Sequence, residues 1–402
     1  MDAMMSWETK MKFGFLKNLI AAGAIIGVAW SSAQAQQGVS DNEIVIGAHT
    51  ALSGPAAIWG VDSTKLARLM FEEVNAKGGI HGRKIRYIVE DTQYQVPLAV
   101  KAVNKLLNRD KIFAMHLALG TGHNNAVFKR QFAKNVPSLF PLTGAVSMGL
   151  PFHKLKFQSL STYRAQTRAG IRYFNKVKGH KRICTFAQDT DYGQEIIDAV
   201  DAEVAASDLE LIAATKHKST ETEFVGSMTK LKNANCDLIV FGTIIGDAIR
   251  GYSTARKLGI TADIVANVAS SDRVVAAAKN NATEGFYVAT SSRAIYRDTD
   301  PTPQQLDLIE RFNKRYGKDP GGAIIYAHMQ TKLLLKALED AGRDLTVDSF
   351  VAAMENIKDF DDGIGTPLHS YSSTSHVGTD GVLLDVVKGG KFVPVADNIH
   401  KM

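Results

Sequence analysis

The sequence predicts an α/β protein built as two doubly wound lobes, and three observations carry that expectation. From Glu43 onward, short apolar runs alternate with stretches of helical spacing. The alternation breaks and then restarts at Ile183, which gives two runs rather than one. A set of helices and a strand-rich tail follow the second run, and both need a sheet to pack on.

The elements read in order. Ile44–Gly47 is a strand, and Leu66, Leu69, Met70 and Val74 mark one face of a helix ending near Ala76. Gly78–Gly82 is a turn, followed by a strand over Lys84–Glu90 and a helix over Pro97–Leu107. Ile112–Leu117 is a third strand, with Asn124–Ala133 as its helix and Pro137–Phe140 as the next strand. After the break come strand Ile183–Ala187, helix Glu195–Ala206, strand Glu210–Ala214, helix Phe224–Leu231, strand Leu238–Gly242 and helix Ala248–Leu258. Helices over Gln304–Tyr316, Ile324–Ala341 and Val347–Asn356 precede the tail strands Val382–Val387 and Lys391–Val395. Alternation of this kind argues for parallel sheets covered by helices on both faces. A chain that leaves the first lobe, builds the second and returns would give the late helices and tail their partners. Several crossovers then form a hinge, with the cleft between lobes as the ligand site.

Composition narrows the function. The 402 residues, 45% hydrophobic and 22% charged, are ordinary for a globular protein of two or three domains. A net charge of +6, with no Lys/Arg tract, does not point to nucleic acid. Two cysteines exclude a disulfide-dense scaffold and a four-cysteine metal site. Cys184 lies in a strand-like run and Cys236 just before another, so a bridge and two separate buried thiols both remain open. Lys10, Lys12 and Lys17 precede the apolar run Leu19–Trp30, and Ser31–Ala35 supplies small residues of a cleavage site. Residues 1–35 therefore read as a secretory signal peptide, cut after Ala35, with Met11 an alternative start. Twelve helical residues rise about 18 Å, too little for a hydrocarbon core of about 30 Å.

Ligands in open α/β sheets sit beyond the carboxyl ends of the strands, so the loops there are the candidate site. Trp59 ends the loop Leu52–Gly60, and a ligand wall and a core position suit it equally. Leu119-Gly120-Thr121-Gly122-His123-Asn124 is a glycine-rich turn opening a helix, where free N–H groups suit an anion. Asn125 stands where a dinucleotide loop has its third glycine. Thr143, in Pro141–Ala145, can donate and accept at a ligand or cap a turn. In Asp189-Thr190-Asp191-Tyr192-Gly193 the aspartates suit helix N-capping and a solvated turn better than a metal, and Tyr192 suits a ligand. There is no G-x-S-x-G, H-E-x-x-H or P-loop pattern, and no metal or cofactor is expected. A hydrolase would have to draw on Thr121, Thr143 and His123.

Ile44-Val45-Ile46-Gly47, Leu52-Ser53-Gly54-Pro55-Ala56, Asn75-Ala76-Lys77-Gly78-Gly79-Ile80-His81-Gly82-Arg83-Lys84 and Asp191-Tyr192-Gly193 together carry a resemblance. Over about residues 42–396 the chain resembles the periplasmic solute-binding proteins of the branched-chain amino acid (Leu/Ile/Val) transport family. The resemblance implies two Rossmann-like doubly wound lobes joined by a three-crossing hinge, the type I periplasmic binding fold. It places residues 42–160 and 293–368 in lobe 1 and residues 161–292 and 369–398 in lobe 2, with crossings near Leu160-Ser161, Ser291-Ser292 and Leu368-His369. It also implies a monomeric, non-enzymatic receptor in the periplasm that serves the membrane permease and ATPase subunits of an ABC importer.

By position, Leu119, Gly120, Thr121, Leu142, Thr143 and Gly144 correspond to residues that hold a ligand carboxylate, and Trp59 and Tyr192 to aromatics of the cleft. Amino acid receptors hold the α-ammonium with acidic side chains, but those positions here are Tyr163 and Val268, and a further contact becomes Ile244. Because a buried cation without a partner costs several kcal/mol, the expected ligand is an aromatic or aliphatic carboxylate lacking an α-ammonium group. Arg164 suits a solvated hinge position better than a counter-charge to the ligand, and Asp189 or Asp191 is a possible replacement for the missing acid. The alternatives are an amino acid receptor, a ligand sensor without transport, and a secreted hydrolase.

Overall fold

The computed structural model describes residues 36–402; the expected signal segment, residues 1–35, lies outside the described residues. The first sheet is built from β1 (Glu43–Thr50), β2 (Lys84–Asp91), β3 (Ala114–His116), β4 (Ser138–Leu139) and β5 (Lys156–Phe157). Helices α1 (Ala57–Ala76), α2 (Val96–Asn108), α3 (Thr121–Asn125) and α4 (Phe128–Ala133) connect these strands. Its order is β2-β1-β3-β4-β5 and every pairing is parallel.

The second sheet follows α5 (Tyr163–Lys178). It contains β6 (Arg182–Gln188), β7 (Glu210–His217), β8 (Leu238–Gly242), β9 (Asp263–Asn267) and β10 (Tyr287–Thr290). These are linked by α6 (Asp191–Ala205), α7 (Val225–Ala234), α8 (Ile245–Lys257) and the short α9 (Arg273–Ala276). Helices α10 (Pro303–Tyr316), α11 (Ile324–Asp340) and α12 (Val347–Glu355) come next, then the tail strands β11 (Leu383–Lys388) and β12 (Lys391–Ala396). The order is β12-β11-β10-β9-β8-β6-β7, parallel through β10 and antiparallel at β11 and β12. Gly389 and Gly390 both take positive φ between the paired Lys388 and Lys391, the two-residue turn that suits a right-twisted hairpin.

The late elements go where the sequence required. Helices α10 and α11 pack on α1, and α12 packs on α11, whereas β11 and β12 extend the second sheet. Both sheets place their first strand between the second and third, so β1/β3 and β6/β8 are topological switch points.

Five elements escaped the sequence reading: β5, α5, β9, α9 and β10. Arg164, Arg168 and Arg172 share one face of α5, and its buried face mixes Gln166, Thr167 and Gly170 with Ile171 and Phe174, so no apolar period stands out. β5 and α9 are only two and four residues long, and β9 and β10 are short apolar runs. The expected helix Asn124–Ala133 is instead two short helices, with buried Val127 at φ −114° between them. Cys184 and Cys236 form a disulfide (Cα–Cα 5.9 Å) that ties β6 to the residues leading into β8.

Candidate functional site

Loops leaving the strands of both sheets converge on one cavity, and all eleven site residues expected from the sequence line it. Ala56 and Trp59 come from the exit of β1, and Leu119, Gly120 and Thr121 from that of β3. Leu142, Thr143 and Gly144 follow β4, and Leu160 and Tyr163 follow β5. The second sheet contributes Tyr192 after β6, Ile244 after β8, and Val268 and Ala269 after β9. Both switch points thus open onto the same space. Its free volume is about 30 Å³, room for one or two waters, so a larger ligand fits only when the walls part.

The first-sheet wall offers donors. The Thr121 and Thr143 hydroxyls are 2.8 Å apart. Among the described residues, no backbone carbonyl accepts from the N–H of Thr121, Thr143 or Gly144. Helix α3 has only five residues, so the macrodipole expected there is slight and the free N–H groups carry the polarity. Gly120 takes φ +101°, a conformation open to glycine but strained for other residues. Trp59 is 7% exposed and stacks on Tyr326 at 5.7 Å, so it is a core residue and a cavity wall at once. Its buried Nε1 has no hydrogen-bond partner among the described residues.

The opposite wall is aromatic and apolar. Tyr163 meets Tyr192 edge-on at 5.0 Å. The Tyr192 hydroxyl lies 3.2 Å from the Thr243 carbonyl and 3.1 Å from Asn267 Oδ1, so its proton is committed within the second-sheet side. Burial pushes both phenols above their ordinary range, which keeps them neutral. Gly193 is a packing requirement: a Cβ there would collide with the Gln188 carbonyl.

Among the described residues, no Asp, Glu, Lys or Arg lines the cavity. Arg164 faces a separate groove with Arg168, Arg172 and His400, because it is one helical step beyond Tyr163 on α5. Asp189 is exposed, 3.6 Å from Lys216, and does not replace the missing acid. Asp191 is exposed, accepts from Asn125 Nδ2 at 3.0 Å, and also lies off the cavity. Neither aspartate caps α6; Thr190 does, its side chain accepting from the Gly193 N–H. The buried Asp247 is held by Gln188 and Arg250. His123 stacks on Tyr94 at 4.7 Å and bonds to neither threonine, so no hydroxyl–imidazole pair is formed. Burial lowers the pKa of His123.

The sequence reading missed Tyr94, Leu160, Ala56 and Ala269 as lining residues. Tyr94 was findable, since it is an aromatic just past a strand exit, the criterion that singled out Trp59.

Residues 43–391 match the family described as "Periplasmic binding protein". The chain belongs to that family. Among curated relatives of this periplasmic binding protein is the "Leucine-, isoleucine-, valine-, threonine-, and alanine-binding protein" of Pseudomonas aeruginosa. It is 23% identical over 328 residues, which is 81% of this chain and 84% of the relative. A fatty acid ABC transporter substrate-binding protein from Thermomonospora curvata has the same fold, with TM-score 0.81 and 24% identity over 91% of this chain and 95% of that one. A solute-binding protein of an ABC transporter from R. palustris, in complex with benzoate, superposes with TM-score 0.77 and 18% identity, covering 89% of this chain and 96% of that one. The family is one of solute-binding receptors, and the two sheets described above are the two lobes of its type I fold.

Proposed function

We propose that this periplasmic binding protein captures a small aromatic or aliphatic carboxylate lacking an α-ammonium group, by closure of two lobes around it. The observation that carries the reading is the lining: hydroxyl and N–H donors on one side, apolar and aromatic groups on the other, and no charged side chain. A carboxylate needs donors, which Thr121, Thr143, Gly144 and Trp59 Nε1 supply. An α-ammonium needs an acceptor of opposite charge, and burying it without one costs several kcal/mol. The benzoate complex and the fatty acid receptor support the reading, since this fold serves carboxylates without an amino group in other chains.

On this reading residues 42–160 and 293–368 form one lobe and residues 161–292 and 369–398 the other. The crossings would be near residues 160–161, 291–292 and 368–369. Contacts of His369 with the Ser159 carbonyl, and of the Tyr326 hydroxyl with the Ser292 carbonyl, support a common hinge. The small cavity volume supports a closed state that must open to load. The closed receptor, a monomer in the periplasm, would then dock on the permease and ATPase subunits of an importer.

Titration calorimetry with benzoate, leucine and phenylalanine tests the ligand class. Benzoate is expected to bind and the amino acids to give no heat. Tight leucine binding with no response to benzoate would overturn the reading in favour of an amino acid receptor.

A further inference from the structure

The cavity shares three of its walls, Tyr94, Thr121 and Tyr192, with a second chamber. That chamber has a free volume of about 430 Å³, against about 30 Å³ in the cavity. It too lies at strand exits, formed by the segments after β2, β3, β6 and β7. The cavity as it stands is small, and the roomier space beside it is not apolar. His123, Thr190, Asp191 and Ser219 line it. His123 is 5% exposed and its Nε2, which has no partner among the described residues, is itself buried, so the acceptors open to the chamber are Thr190, Asp191 and Ser219. Among the described residues Asp191 is the chamber's one charged group, and it spends an oxygen on Asn125.

We propose that this chamber is a second subsite for the same ligand, taking a hydrogen-bond-donating group, a hydroxyl or an amine, at the far end of an elongated carboxylic acid. The proposal rests on the carboxylate reading above. A donor suits the acceptors of Asp191, Thr190 and Ser219, whereas a second carboxylate would meet the like charge of Asp191. The aromatic collar of Tyr94 and Tyr192 suits the flat, apolar body between the two polar ends.

Calorimetry with two acids of matched length, 3-phenylpropionate and 3-(4-hydroxyphenyl)propionate, tests it. The hydroxylated acid is expected to bind about tenfold tighter, the scale of one hydrogen bond to a charged acceptor. In Asp191→Ala the ratio of the two affinities is expected to fall to about one. Equal affinities in the unmodified protein, or an unchanged ratio in Asp191→Ala, would overturn the second subsite and leave the carboxylate reading standing. If neither acid bound while leucine did, the carboxylate reading would fall and this subsite with it.

Discussion

The two sheets have the same local strand order, 2-1-3-4-5 counted within each, yet they meet the cavity with different chemistry. In the first sheet β3, β4 and β5 are two or three residues long, and the chain beyond them arrives with hydroxyls and with N–H groups from which no backbone carbonyl accepts among the described residues. In the second, β6 to β9 run five to eight residues, a disulfide ties β6 toward β8, and the cavity-facing residues are Tyr192, Ile244 and Val268. Polar groups thus line the cavity from the sheet whose strands stop early, and apolar ones from the more regular sheet. The core differs as well: the buried His217 of β7 has both ring nitrogens within hydrogen-bond reach of partners, the Lys218 carbonyl and the Thr243 hydroxyl, whereas the first sheet buries histidines with unpartnered nitrogens. His49 on β1 and His116 on β3 are fully buried, and burial lowers both to a pKa of about 3.

That asymmetry can be broken first by acid. Both imidazoles stay neutral in the fold but titrate near their ordinary 6.5 when unfolded. As pH falls from about 6.5 toward 3, the unfolded chain takes up protons the native one refuses, so stability declines across that window and levels off below it. The expected loss is several kcal/mol. Hydrogen exchange against pH should show β1 and β3 amides losing protection at higher pH than those of β6 and β8; the reverse order would refute the asymmetry.

Next in size is a change of sign on the apolar wall. Val268→Glu places an anion where the lining has none, and carboxylate affinity should fall about 1000-fold, about 4 kcal/mol, in calorimetry. An unchanged affinity would mean that the second-sheet wall does not face the ligand. The disulfide sharpens the contrast from the other side. The paired substitution Cys184→Ala with Cys236→Ala should cost about 2–4 kcal/mol in denaturant unfolding while ligand affinity holds, because the bridge closes a 52-residue separation away from the cavity. Smallest is Trp59→Ala, which should weaken binding by about 1–3 kcal/mol. If only the melting temperature moved, its contact with Tyr326 would be its whole role.

Much of this was legible in the sequence because the patterns were strong. Alternating apolar runs announced both sheets, and the helices and strands after β10 announced the return of the chain. Trp59, Thr121, Thr143 and Tyr192 were legible as loop residues at strand exits, whereas Tyr163, Ile244 and Val268 came only from the family resemblance, β5 and β9 not having been recognised. Three things were hidden. The buried face of α5 carries Gln166, Thr167 and Gly170 among its apolar residues, the other missed elements are too short to show a period, and side-chain direction is set by packing. Direction is why Tyr163 enters the cavity while Arg164, its neighbour, faces a different groove. It is also why Thr190, between two aspartates, is the residue that caps α6.

The central claim is that the ligand carries a carboxylate and no α-ammonium, because the cavity pairs donors with an uncharged wall. Mass spectrometry of the small molecule released when the purified protein is denatured tests it most directly. The account predicts a carboxylic acid with no α-amino group. An α-amino acid, released in stoichiometric amount, would contradict it.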